Sequence, residues 1–220
     1  VVMNGRPLIL NWASENIPAI VEAWHLGSQS GHAIAQVLYG DYNPSGKLPM
    51  SFPRSVGQLP IYYNHKSTGR PGADGEGMGS VFWSHYGDEK NSPLYPFGYG
   101  LSYTQFEYSP LQLSDDIMDK GGSLKASIKL KNTGKFKGKE VVQFYIQDPY
   151  ASATRPVKEL KGFQMVELNP GETKEVSFRI TEEQLKFYNA RQKWEAESGT
   201  FYVFIGSNSA VKEKKAFELR

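Results

Sequence analysis

The 220 residues, 39% hydrophobic and 22% charged, suffice for one large soluble domain or two small ones. Lys and Arg number 25 against 23 Asp and Glu, and the net charge of +2 forms no basic stripe, which excludes the electrostatic footprint of a nucleic-acid partner. Cysteine is absent, excluding disulfides, thiolate metal sites and cysteine nucleophiles, and no apolar run approaches the roughly 20 residues of a membrane helix.

In chain order, "VVMNGRPLIL" starts directly in an apolar, β-branched run with no start Met or signal peptide, and reads as the end of a buried strand in a chain that looks cut. A second apolar run, Ala19 to Trp24, reads as another strand end. From Ser28 to Tyr39 the residues Ala33, Ile34, Val37 and Leu38 share one helical face, with serines to cap the start and Gly40 to stop the helix. Strand, loop and helix in this order belong to a parallel sheet, which needs neighbouring strands and covering helices. Residues 1–56 are therefore expected to be the tail of a parallel-sheet α/β sandwich domain. The loop "WHLGSQSG" lies where α/β sheets meet ligands, but it lacks the extra glycines and Lys of a phosphate cradle and reads as packing.

Residues 57–100 read as an extended interdomain linker, entered through the proline-rich segment that begins at Gly40. Pro44, Pro49, Pro53 and Pro60 fix φ and suppress helix, keeping the chain extended at little entropic cost. Tyr62, Tyr63, Phe82, Trp83 and Tyr86 offer rings that can be buried while a hydroxyl or indole N–H finds a partner. The carboxylates Asp74 and Glu76 in "ADGEG" stand in a glycine-rich loop, the reverse of a preorganised catalytic or calcium site. Asp88 and Glu89 are discounted in the same way. His25, His32, His65 and His85 lack the i, i+4 spacing of a helical zinc pair, and no Gly-x-Ser-x-Gly elbow occurs. No catalytic residue, metal site or cofactor is expected from these patterns.

After residue 100, "LKASIKLKN", "EVVQFYIQ", "EVSFRI" and "TFYVFIG" alternate or nearly alternate and are separated by turn signals. Residues 101–220 are expected to form an all-β immunoglobulin-like sandwich of the fibronectin type III kind. Its inward residues would include Ile128, Leu130, Val142, Phe144, Ile146, Val176, Phe178, Ile180, Tyr202 and Phe204. The basic run "KEKK" reads as a solvated hairpin or strand edge.

The segments "GDYNPSGKLPMSFPRSVGQLPIYYNHKSTGRP", "LYPFGYGLSYTQFEY", "NTGKFKGKEVVQFYIQD", "RPVKELKGFQ", "LNPGET" and "GTFYVFIGS", in this order, resemble the C-terminal third of a glycoside hydrolase family 3 β-glucosidase of the bacterial periplasmic type. The resemblance implies a three-part enzyme of barrel, α/β sandwich and fibronectin type III-like domain that removes terminal β-linked glucose with retention. It also implies a periplasmic or secreted location. The nucleophile and acid/base motifs of the family lie upstream of Val1, so this piece would complete and brace the α/β domain without activity of its own. Its partners would be the missing barrel and α/β domain, and through them a β-glucoside. In the resemblance, residues 40–100 strap the parts together, and Trp83, His85 and Tyr86, with Arg70 behind them, are the expected sugar-edge residues. Here "SHYGD" departs from the family's usual Arg-Tyr-Phe-Asp, with His85 and Gly87 in place of the Arg and Phe. The alternative is a stand-alone carbohydrate-binding β-sandwich module of a secreted protein. Such a module should show a row of exposed aromatics, whereas in the sequence Trp194 stands nearly alone.

Overall fold

The computed structural model describes residues 1–71 and 82–220. Asp74 and Glu76 lie outside the described residues.

The first part is α/β in grammar and sparse in core. Val2 and Glu22 form a parallel bridge, with the Val2 amide donating to Val21 O at 2.9 Å and the Ala23 amide to Val2 O at 2.9 Å. Between them runs a short helix, α1 (Asn11–Asn16), and after them comes α2 (Ser30–Leu38). The expected serine cap is not formed. A 3-10 turn over Gly27–Gln29 feeds α2, Gln29 holds the cap position, and no side chain closes it. The stop at Gly40 is present: it takes φ +83°, the left-handed conformation that ends a helix, and its amide donates to Val37 O. Among residues 1–51, all described, Ala23 is the one buried hydrophobic, while Met3, Ile9, Trp12, Leu26, Leu38 and Tyr39 are exposed.

The extended segment after Gly40 pairs with its own return. The Leu48 amide donates to Tyr99 O and the Gly98 amide to Leu48 O, at 2.8 Å each, and the Phe52 amide donates to Tyr95 O at 2.8 Å. Phe52 is buried between Trp24 and Tyr95, with ring centroids 5.8 and 6.4 Å away. Gln58 is fully buried, and its side chain accepts from the Arg54 amide and donates to Lys90 O. Proline removes donors and φ freedom here, so side chains such as Gln58 and Asn43 supply the missing bonds. Asn43 Oδ1 accepts from Ser102 Oγ and the Tyr103 amide, and its Nδ2 donates to Lys137 O.

The remainder is a two-sheet sandwich. One sheet carries β1 (Phe106–Tyr108) and β2 (Gln112–Leu113) along one edge of β4 (Ser123–Asn132), with β7 (Thr173–Thr181) pairing β4 from Ser123↔Thr181 to Lys131↔Thr173. The other runs β3 (Ile117–Met118), β11 (Lys215–Leu219), β10 (Gly199–Gly206), β5 (Gly138–Gln147) and β6 (Glu159–Leu168). Alternation in β4 sends Leu124, Ala126, Ile128, Leu130 and Asn132 inward, against Val142, Phe144 and Ile146 of β5 and Val176, Phe178 and Ile180 of β7. All eight expected core residues on β4, β5 and β7 are buried there.

On β10 the phase is opposite to expectation. Phe201, Val203 and Ile205 face the core, while Tyr202 and Phe204 face outward. Every residue from Phe201 to Ile205 is apolar or aromatic, so the period-2 signal carried no phase. Phe204 is nevertheless buried, because Lys158 covers its ring at 4.2 Å.

Candidate functional site

The expected sugar-edge residues come together through the backbone. Pro71 and Ser84 form a parallel bridge, and the Ser84 amide donates to Arg70 O at 2.8 Å, placing Arg70 beside the Trp83–Tyr86 turn. Asn91 closes that turn, donating from Nδ2 to Ser84 O at 2.9 Å and accepting from the Tyr86 amide at 3.2 Å. His85 Nδ1 lies 2.7 Å from Trp83 O. Trp83 and Tyr86 are 37% and 40% exposed, so each presents part of a ring to solvent while its backbone is held. Arg70 and His85 are exposed as well. The group can stack on an apolar sugar face, donate hydrogen bonds from indole and guanidinium, and offer the Nε2 of His85 to a hydroxyl.

The base of this loop is tied to the sandwich by residues that the sequence marks only as generic interdomain aromatics. Tyr63 stacks on Phe97 at 4.3 Å and meets Tyr145 edge-on at 6.0 Å, and its hydroxyl accepts from the Leu160 amide at 3.2 Å. Tyr145 donates to Gln143 Oε1, and Gln143 Nε2 donates to Gly98 O and Ser207 O. Gly98 has φ +79°, and a Cβ there would come 2.0 Å from Gln143 Oε1, so only glycine fits. Burial, with Tyr63 adding to it, holds the Tyr145 phenol well above its ordinary range. The signal in the sequence was the run Val141 to Ile146, too apolar for a strand with a wet face.

Lys158 belongs to the same cluster. Its ammonium donates to Ser209 O at 2.9 Å and Val211 O at 2.6 Å, above the Phe204 and Tyr145 rings. Burial, with the Lys214 charge adding to it, pushes Lys158 down to about 8 from 10.5. Between those values the unfolded chain binds more protons than the folded one, so this group makes stability rise with pH from about 8 upward. Comparing denaturant midpoints of wild type and Lys158→Met from pH 7.5 to 9.5 should reveal a wild-type gain of about 1–2 kcal/mol that the variant lacks. Parallel profiles would refute it.

Other acids are accounted for by packing. Among the described residues the buried carboxylates are Glu140 and Asp148. Glu140 pairs with Lys47 at 2.8 Å, and Asp148 faces Arg155 at 3.8 Å, where burial raises its carboxyl and Arg155 partly offsets that. Arg155 also pairs with Glu159 and covers the Phe187 ring at 4.4 Å. In the "WHLGSQSG" loop, the Trp24 amide donates to Glu22 Oε1 at 3.0 Å and the indole packs on Phe52. No group of three or more His, Cys, Asp or Glu able to hold a metal occurs among the described residues. None of their helices is long and apolar enough to cross a membrane. Trp194 has one aromatic companion, Tyr188, at 5.2 Å across the hairpin of β8 (Phe187–Tyr188) and β9 (Trp194–Glu195), rather than a row.

Fold and site together define a piece of an α/β domain joined by an aromatic strap to a fibronectin type III-like sandwich. Residues 1–103 match the glycosyl hydrolase family 3 C-terminal domain, and residues 140–209 match a fibronectin type III-like domain. A periplasmic beta-glucosidase of Salmonella typhimurium is 54% identical over 219 residues, covering 100% of this chain and 28% of its own length. A beta-xylosidase of Formosa agariphila is 44% identical, covering 100% of this chain and 29% of its own length. The crystal structure of a Listeria innocua beta-glucosidase in complex with glucose superposes with a TM-score of 0.91 at 44% identity, over 99% of this chain and 30% of that one. Residues 1–103 carry the C-terminal domain of glycoside hydrolase family 3, and the chain spans 28–29% of the length of these two sequence relatives.

Proposed function

We propose that this chain is the C-terminal portion of a retaining β-glucosidase of the periplasm or extracellular space. Residues 1–56 complete its α/β domain, residues 57–100 form the strap, and residues 101–220 brace both. Similarity along the whole of this chain to proteins named as β-glucosidases carries this reading, at 54% identity for the Salmonella relative. That relative's name also supports the periplasmic location. The exposed apolar residues around α1 and α2 support a domain whose remaining sheet and helices lie elsewhere in the parent.

Retention needs two carboxyl groups about 5 to 5.5 Å apart, which the missing barrel and α/β domain would supply. Trp83, His85, Tyr86 and Arg70 line the edge of the sugar site, rings stacking and polar groups orienting a terminal β-glucoside. The purified 220-residue chain should release no nitrophenol from an aryl β-glucoside above buffer, while the full-length parent should turn over with retained anomeric configuration. In that parent, Trp83→Ala and Tyr86→Ala should each raise KM for disaccharides about tenfold, equivalent to ~1.4 kcal/mol of lost ring contact. Unchanged KM in both variants would remove these residues from the sugar site.

A further inference from the structure

Among the described residues, those of the loop carrying Arg70 and Trp83–Tyr86 supply none of the hydrophobic core of the sandwich. Among the described residues of this loop, the bonds joining Arg70, Ser84, Tyr86 and Asn91 are local to the turn, so its placement depends on what holds its base. Upstream, two independent contacts anchor it. The Val157 amide donates to His65 O at 2.9 Å, within an antiparallel bridge between Lys66 and Pro156. The Tyr63 ring lies between Phe97 and Tyr145, with its hydroxyl receiving the Leu160 amide.

Both contacts reach one corner of the sandwich: Pro156 and Val157 lie in the connection between β5 and β6, with Tyr145 near the end of β5 and Leu160 at the start of β6. That connection is itself fixed by Arg155, which reaches Asp148 and Glu159 and lies over Phe187. It is fixed again by Lys158, whose ammonium binds the carbonyls of Ser209 and Val211, while the Ser209 amide donates to Phe97 O at 2.9 Å. Phe97 stacks on Tyr63, so the chain of contacts closes on itself. From Tyr63 to Arg70 is seven residues, and His65 and Lys66 are held within that span.

We infer that the β5–β6 connection and the Tyr63 ring fix the base of the Arg70/Trp83–Tyr86 loop, making Tyr63 a positioning residue through which the sandwich sets the substrate edge. This rests on the sugar-edge role proposed above. It gives the fibronectin type III-like domain a part in substrate binding without any contact to sugar. Tyr63 acts through the loop, so its loss should weaken binding of the substrate more than the chemical step.

The test compares Tyr63→Leu, Tyr63→Phe and wild type. In the full-length parent, Tyr63→Leu should raise KM for disaccharides about threefold to tenfold with kcat within about twofold, and Tyr63→Phe, which keeps the stacked ring, should restore most of the wild-type KM. A general loss of folded enzyme would lower apparent kcat and leave KM in place. In the 220-residue chain, hydrogen exchange over residues 64–71 and 82–91 should accelerate about tenfold in Tyr63→Leu and not in Tyr63→Phe. Should Tyr63→Leu fail to fold, the wild-type Val157 amide decides: protection like a sandwich amide supports the anchor, and exchange like an exposed loop amide overturns it. Unchanged loop exchange in Tyr63→Leu overturns the inference whatever the kinetics. So does an unchanged KM in Tyr63→Leu when Trp83→Ala raises KM. If Trp83→Ala and Tyr86→Ala leave KM unchanged, the sugar-edge reading has failed, and exchange alone then judges the anchor.

Discussion

Glu140→Leu is expected to cost about 3–5 kcal/mol of stability, because it strands a buried cation. Lys47 and Glu140 meet at 2.8 Å with side chains only 10% and 7% exposed. Tyr108 donates to the same carboxylate oxygen, and Lys47 also donates to Gly100 O at 2.9 Å. Burial and the Glu140 charge hold the Tyr108 phenol far above its ordinary range, as expected for a hydroxyl that must stay a donor. Lys47 lies in the proline-rich segment after Gly40 and Glu140 on β5, so the pair rivets the two. Removing both charges with Lys47→Met/Glu140→Leu should recover more than half of the loss, since a buried pair gains little over apolar replacements of similar size. Chemical denaturation of the 220-residue chain measures both. A single variant within about 0.5 kcal/mol of wild type would mean that water reaches the pair and screens it.

Phe144→Ala should cost a similar about 3–5 kcal/mol through lost apolar burial and the cavity left behind. Phe144 is fully buried on β5 and stacks on Phe178 at 5.0 Å with an interplanar angle of 11°. Gly162 closes over both rings, where an added Cβ would already touch Phe178 at 3.4 Å. Little backbone slack exists for collapse, which favours the upper part of that range. Phe163→Ala is the internal control: the neighbouring ring on β6 is 67% exposed, and its loss should stay within about 0.5 kcal/mol. Equal losses at the two positions, read from urea midpoints, would refute this assignment of the core.

How far the fold can be read from residues alone varies by strand. On β4 and β7 the polar and apolar residues alternate strictly enough that the pattern itself sends Ile128, Leu130, Val176, Phe178 and Ile180 inward. On β10 they do not, and Tyr202 and Phe204, expected inward, lie on the other face. The reason is that both faces of that strand are covered, one by the opposite sheet and the other by Lys158 and its loop. The helix stop at Gly40 is legible because positive φ favours one residue type. The start is not, because Ser28 and Ser30 both fit and a 3-10 turn takes the place of a capped end. At the candidate site, the residue types of Trp83, His85 and Tyr86 stand out in the sequence, but the bond from Ser84 to Arg70 does not. Tyr63 is one of several strap rings, with nothing local to distinguish it from Tyr62.

What the sequence determined by itself was local: strand periods, turns, the rigid proline segment, and a set of motifs specific enough to place the chain in its family. Those properties depend on neighbours along the chain, where residue type and spacing act directly on the backbone. The tertiary structure alone decided which ring meets which, from Tyr63 against Phe97 and Tyr145 to Lys47 against Glu140. Such contacts join residues 34 to 93 positions apart, beyond the reach of any local pattern.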